Sequence, residues 1–163
     1  NGLHTLRTTD HDIADAMGAP YLGEPGTSIN VAMITYRFPK VGKRRPVLRV
    51  LAMHGQGGSS TWSGPLNQLE KMMRAFNADI YLVAHHHKLV AARAVKLNED
   101  PKAPTKLQAT DSVLVAAGSW MRGYMLNETT YAEDGLMVPL ATGAPIIHVA
   151  ARDNGTFRIR VEV

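Results

Sequence analysis

VLRVLAMHGQGGSSTWSGPLNQLEKMMRAFNADIYLVAHHH, Val47 to His87, decides how this chain is read. Val47–His54 is an apolar, β-branched run of strand length, and Gly55–Gly64 is a Gly/Ser-rich loop. In the following segment Leu66, Leu69, Met72, Met73 and Phe76 recur at helical spacing, which predicts a helix over Pro65–Asn77 with the proline in its first turn. Asp79–His85 is again apolar and short, as expected of a strand buried on both faces. Strand, helix and strand in that order predict a βαβ unit whose two strands lie parallel in one sheet.

A parallel unit puts the C-terminal ends of both strands at one sheet edge, where open α/β sheets place their sites. His54 ends the first strand, and His85, His86 and His87 end the second. Residues i and i+2 of a strand share a face, so His85 and His87 are expected to point together while His86 points away. Two imidazoles on that spacing can bind one metal, or each can bind a different ion of a pair ~3.5–4 Å apart, and ligand type alone does not distinguish Zn, Mn, Fe, Co and Ni. The bland alternative is a surface His-His-His beside a coincidental His54. His11 and His148 have no partner pattern.

Outward from this unit, Ser28–Phe38 reads as a strand that pairs with Val47–His54 across a turn, Pro39–Pro46. The stretch Arg37–Arg49 is rich in Lys and Arg; it is either a solvated turn or a grip on a nucleic-acid backbone. Leu89–Leu97 and Asp111–Trp120 are expected strands, separated by a polar loop, NEDPKAPTK. Pro145–Val163 reads as a hairpin turning at Asp153-Asn154-Gly155. Residues Asn1–Gly26 are polar and turn-rich, with a short helical reading over Asp10–Met17. Trp62 and Trp120 are expected in the core or as walls of the site.

The totals narrow the class. A chain of 163 residues that is 45% hydrophobic can build one domain, 1–163, with a real core. It has no cysteine, so disulfides and thiolate metal sites are excluded and any metal must be held by His, Asp, Glu or Asn. The formal charge of +4 suits an anionic partner such as a phosphate or nucleic acid. No apolar run approaches the ~20 residues of a membrane span, no secretory signal is visible, and the expected location is cytoplasmic. GQGGSS lacks the Lys-Ser/Thr of a P-loop, and Ser59, Ser60 and Thr61 have no matched base.

VLAMHGQGG followed about thirty residues on by ADIYLVAHHHK resembles the last two motifs of the calcineurin-like metallophosphoesterases. His54-Gly55 looks like the family's strand-ending His-Gly, and Ala84-His85-His86-His87 looks like its Gly-His-x-His. NGLHTLR resembles its Gly-Asn-His, with Gly2 and His4 matching and Leu3 in place of Asn. GSWMRGY and TTYAEDGLMVPLATGAPIIHV look like the C-terminal part of phage-type members. The resemblance implies an α/β fold, the C-terminal half of a β-sandwich flanked by helices, and hydrolysis of a phosphomono- or phosphodiester by a metal-bridging hydroxide. It further implies two divalent ions (Mn, Zn, Fe, Ni or Mg), with His54 and His85 on one, His87 on the other, and His4 contacting the phosphate as the catalytic histidine.

Two departures qualify that expectation. Leu3 cannot coordinate, and the family's Asp-x-His and Gly-Asp-x-x-Asp would precede Gly-Asn-His. A bridging carboxylate is needed to hold two cations together, so the chain is expected to supply one half of the site. The other half would come from an upstream segment or a second chain, and 1–163 alone is expected to be inactive. Two other readings are a non-catalytic domain that retains the fold and a mononuclear enzyme with three His on one Zn.

Overall fold

The computed structural model describes residues 16, 31–55, 61–100, 103–120, 123–135, 137 and 142–163. Gly2, Leu3, His4 and the Asp10–Asp12 stretch lie outside these residues, as does most of the Asp10–Met17 helical reading.

The predicted βαβ unit is present. Strand β1 (Val31–Arg37) runs antiparallel to β2 (Val47–Met53); helix α1 (Ser63–Ala75) then leads to β3 (Ile80–Val83), which pairs parallel with β2 from Val50↔Ile80 to Met53↔Val83. Strands β4 (Val90–Asp100) and β5 (Ala103–Ala116) form a long antiparallel hairpin, and β5 lies parallel against β3. The sheet order is β1-β2-β3-β5-β4, with three parallel central strands and two antiparallel flanking ones. The short helix α2 (Tyr131–Asp134) precedes a separate hairpin of β6 (Ile146–Ala151) and β7 (Phe157–Glu162), which turns where Asp153-Asn154-Gly155 predicts.

Each face of the large sheet has its own cover. Alternation along β2 sends Leu51 and Met53 to one side and Leu48 and Val50 to the other. On the first side Leu66, Leu69, Met72 and Met73 of α1 pack on Leu51, Tyr81, Val83 and Leu114. Phe76, expected on the same helix face, instead caps the helix in an extended conformation and is 40% exposed. Its carbonyl accepts a hydrogen bond from the buried Tyr81 hydroxyl at 2.7 Å. On the other side Ile147, Val149, Phe157, Ile159 and Val161 of the β6–β7 hairpin pack on Leu48, Val50, Ile80, Val113 and Val115. The described architecture is therefore mixed α/β, with one long helix on one face and a two-stranded sheet on the other.

Two element readings differ from the sequence expectation. NEDPKAPTK, read as a polar loop, is mostly strand: pairing continues as far as Asp100↔Ala103. A long ladder satisfies its own backbone groups, so polar side chains that need no cover do not stop it. The strand ending at Trp120 stops at Ala116. No helix among the described residues is long and apolar enough to cross a membrane.

Candidate metal site

The C-terminal ends of β2, β3 and β5 share one edge. Ala84 N–H donates to Met53 O at 3.1 Å, and Ala117 N–H donates to Val83 O at 2.8 Å, so the three strand ends are tied side by side. Residues 84–89 leave β3 and must reach β4, which lies beyond β5 in the sheet order. That step crosses two strand spacings, about 10 Å. The histidines therefore occupy a crossover lying over the end of β5, and the strand does not continue through them.

The backbone bends sharply to make that step. His86 N–H donates to Ala84 O at 2.8 Å, closing a γ-turn around His85, whose φ is +70°. His87 has φ +54°. Two non-glycine residues in the left-handed region within three positions is uncommon, and such strain concentrates at functional sites. The turn also removes the premise of the same-face rule, which holds only for extended backbone.

His54 and His85 do meet. His54 Nε2 and His85 Nδ1 lie 3.1 Å apart, with ring centroids 4.9 Å apart. Both rings are accessible from solvent. His87 turns to the neighbouring strand end, where its Nδ1 lies 2.9 Å from Ser119 Oγ. Ser119 is itself tied into the chain: its carbonyl accepts Gly143 N–H at 2.9 Å, and it bridges Thr142. His86 points away from the pair towards α1, where its Nε2 lies 2.7 Å from Gln68 Oε1. A carbonyl oxygen only accepts, so this bond makes Nε2 the protonated nitrogen and leaves Nδ1 with a lone pair. That Nδ1 is buried with no hydrogen-bond partner. Burial first, and then the neighbouring His85, lowers the pKa of His86 and keeps it neutral.

Two further residues shape the loop. Gly55 has φ +86°, and a Cβ there would sit 2.8 Å from Val83 Cγ2 and 2.9 Å from Ala84 O. The sequence Gly after His54 is thus required for the β2 and β3 ends to come together. Lys88 is only 3% exposed; its ammonium donates to Thr61 O at 2.7 Å and lies 6.0 Å from the centre of the Trp62 ring. Burial lowers its pKa. Lys88 joins the histidine loop to the segment that enters α1. Trp62 and Trp120, expected as core or walls, are both exposed, at 51% and 79%.

Of the sequence-predicted ligands, then, the structure joins His54 to His85 and places His87 on Ser119; His4 lies outside the described residues. Among the described residues no three His, Asp or Glu side chains group around a common point. The two joined nitrogens do suit a single ion. Ligand bonds of ~2.0–2.1 Å at tetrahedral or right angles put two nitrogens about 2.9–3.4 Å apart, and the observed separation lies inside that range. Asp79 is at the opposite end of β3, where its Oδ2 accepts Arg49 N–H at 2.8 Å. Ser119 and Gln68 were not singled out from sequence. Ser119 could have been, because parallel pairing of a third strand brings whatever follows it to the histidine edge. Comparison with protein-family models, with curated proteins and with solved structures gives no match.

Proposed function

We propose that this chain contributes to a metal-dependent phosphoesterase centre, with His54 and His85 as ligands to one divalent ion. The observation that carries this reading is the 3.1 Å approach of two solvent-accessible imidazole nitrogens, delivered by adjacent parallel strand ends. The contact of His87 with Ser119 agrees with it: a liganding histidine commonly gives its other ring N–H to an oxygen acceptor, which orients the ring. His87 is then the candidate ligand of a second ion, and His4 the candidate contact to the phosphate. A bound divalent ion would supply Lewis-acid activation of a phosphoryl oxygen and a hydroxide nucleophile. The remaining ligands, carboxylates above all, come from beyond these histidines. The likeness to one half of a metallophosphoesterase-type sandwich belongs to this same proposal.

A non-catalytic domain is the second reading. It is favoured by the hydrogen bond between His54 and His85, which lets the pair persist with no ion present.

Metal counting separates the two. Residues 1–163 and the product of the complete gene, each dialysed against Mn²⁺ or Zn²⁺, are analysed by elemental mass spectrometry. One or two ions per chain, lost in His54→Ala and His85→Ala, together with metal-dependent cleavage of a chromogenic phosphodiester by the complete gene product, is the expected result. Zero stoichiometry in both overturns the proposal in favour of the non-catalytic reading.

A further inference from the structure

At the sheet edge opposite the histidines, two segments far apart in sequence come together. The β1–β2 connection carries Arg37, Lys40, Lys43, Arg44, Arg45 and Arg49, with no acidic residue between Arg37 and Arg49. All six are exposed. The turn of the β6–β7 hairpin packs directly on this connection: a Cβ built on Gly155 would lie 2.8 Å from Arg44 Cδ, and one on Gly42 would lie 3.7 Å from Asp153 Cβ. The hairpin adds Arg152 and Arg158, both exposed. Between the hairpin turn and the sheet lies a polar cavity of about 430 Å³ whose lining includes Arg49, Arg152, Asn154, Thr156, Asp79 and Asp111. Asp79 is occupied by Arg49 N–H. Among the described residues, no carboxylate forms an ion pair with any of the eight cations; Glu162 pairs instead with His148 and Arg160.

Eight like charges brought to one edge repel one another, a cost that a bound polyanion relieves. Six of the eight are arginines, whose planar donor forks match phosphate oxygens two at a time. Arg49 and Arg152 line a cleft, a shape that tracks a phosphodiester backbone better than a flat lipid surface. We propose that this edge, formed by the β1–β2 connection and the β6–β7 turn, is a binding surface for the sugar-phosphate backbone of nucleic acid. The surface is remote from the histidines, and binding there does not depend on metal at His54 and His85.

Fluorescence anisotropy with a labelled 20-nucleotide DNA strand and its duplex, from 50 to 300 mM NaCl, tests it. The expected result is binding that weakens steeply with salt, with log K falling by about 0.7–0.9 per phosphate contact in each power of ten of salt. Lys43→Ala/Arg45→Ala, which leaves the Arg44–Gly155 contact in place, should weaken binding at least tenfold and flatten the salt slope. Arg152→Ala, on the other segment, should flatten it too. His54→Ala and His85→Ala should leave affinity unchanged. The proposal is overturned by absence of binding at 50 mM salt, by binding that both basic variants retain, or by equal loss in the histidine variants. Vesicles with a third anionic phospholipid provide the counter-test: tighter capture by vesicles than by either DNA would assign the surface to membranes and reject nucleic acid.

Discussion

Gly55 shows how one residue sets the spacing of the site. Its φ of +86° and the 2.8–2.9 Å approach of Val83 Cγ2 and Ala84 O leave no room for a side chain. Gly55→Ala should cost about 2–4 kcal/mol, from left-handed strain plus overpacking, measurable by urea unfolding. It should also disturb the His54–His85 approach. His86 makes a second prediction. Burial and its histidine neighbours hold its pKa below the ordinary value of about 6.5. In the unfolded chain His86 takes up a proton as pH falls through 6.5, whereas in the folded, metal-free protein it does not. The unfolded state then binds more protons, so stability is complete above about pH 6.5 and declines as pH falls from there towards the lowered folded value. Thermal melts from pH 8 to 5 should show this decline, and His86→Gln should make it shallower. An unchanged slope would show that His86 titrates as it does in the unfolded chain.

At the scale of elements, α1 carries the clearest link from periodicity to packing. Leu69 is fully buried and stands at the centre of the helix face that meets Leu51, Tyr81 and Leu114. Leu69→Ala should destabilise by about 2–5 kcal/mol and lower the melting temperature accordingly. The end of the helix is held differently, through a polar knot. The buried Tyr81 hydroxyl donates to Phe76 O, accepts from Ala78 N–H at 2.9 Å, and accepts from Lys96 Nζ at 2.8 Å. These bonds fasten the helix exit, β3 and β4 at one point. They also explain why Phe76 leaves the apolar helix face: its carbonyl is committed to Tyr81, and the chain must turn at once into β3.

Across the whole molecule, protection is expected to be uneven. Ile80–Val83 and residues 112–116 lie between covers on both faces, and all of their side chains except the half-buried Leu82 are almost wholly buried. Among the described residues nothing covers the outer half of the β4–β5 hairpin in this way, and Val95, Leu97 and Leu107 are 60–67% exposed. Hydrogen exchange followed by mass spectrometry should find peptides from β3 and the second half of β5 exchanging last. Peptides covering 97–107 should exchange far sooner, although both belong to one continuous ladder. Uniform protection along β5 would mean that something else covers the outer arm.

Local pattern was sufficient for β2, α1 and β3, because helical and strand periods differ and short loops leave a parallel crossover as the simplest connection. Turn chemistry was sufficient for the β6–β7 hairpin, where Asp-Asn-Gly supplies the left-handed position at Gly155 (φ +83°). The same reasoning put His54 and His85 at one edge. Composition could not show that 98–100 and 103–106 are strand, since a ladder satisfies its own backbone groups whatever the polarity of its side chains. Nor could it orient the three histidines. Their directions follow from β5 standing between β3 and β4, which forces residues 84–89 across its end and bends His85 and His87 out of extended conformation. That strand order is a long-range fact. It decides that His87 meets Ser119, 32 residues away, and that His86 turns back to Gln68.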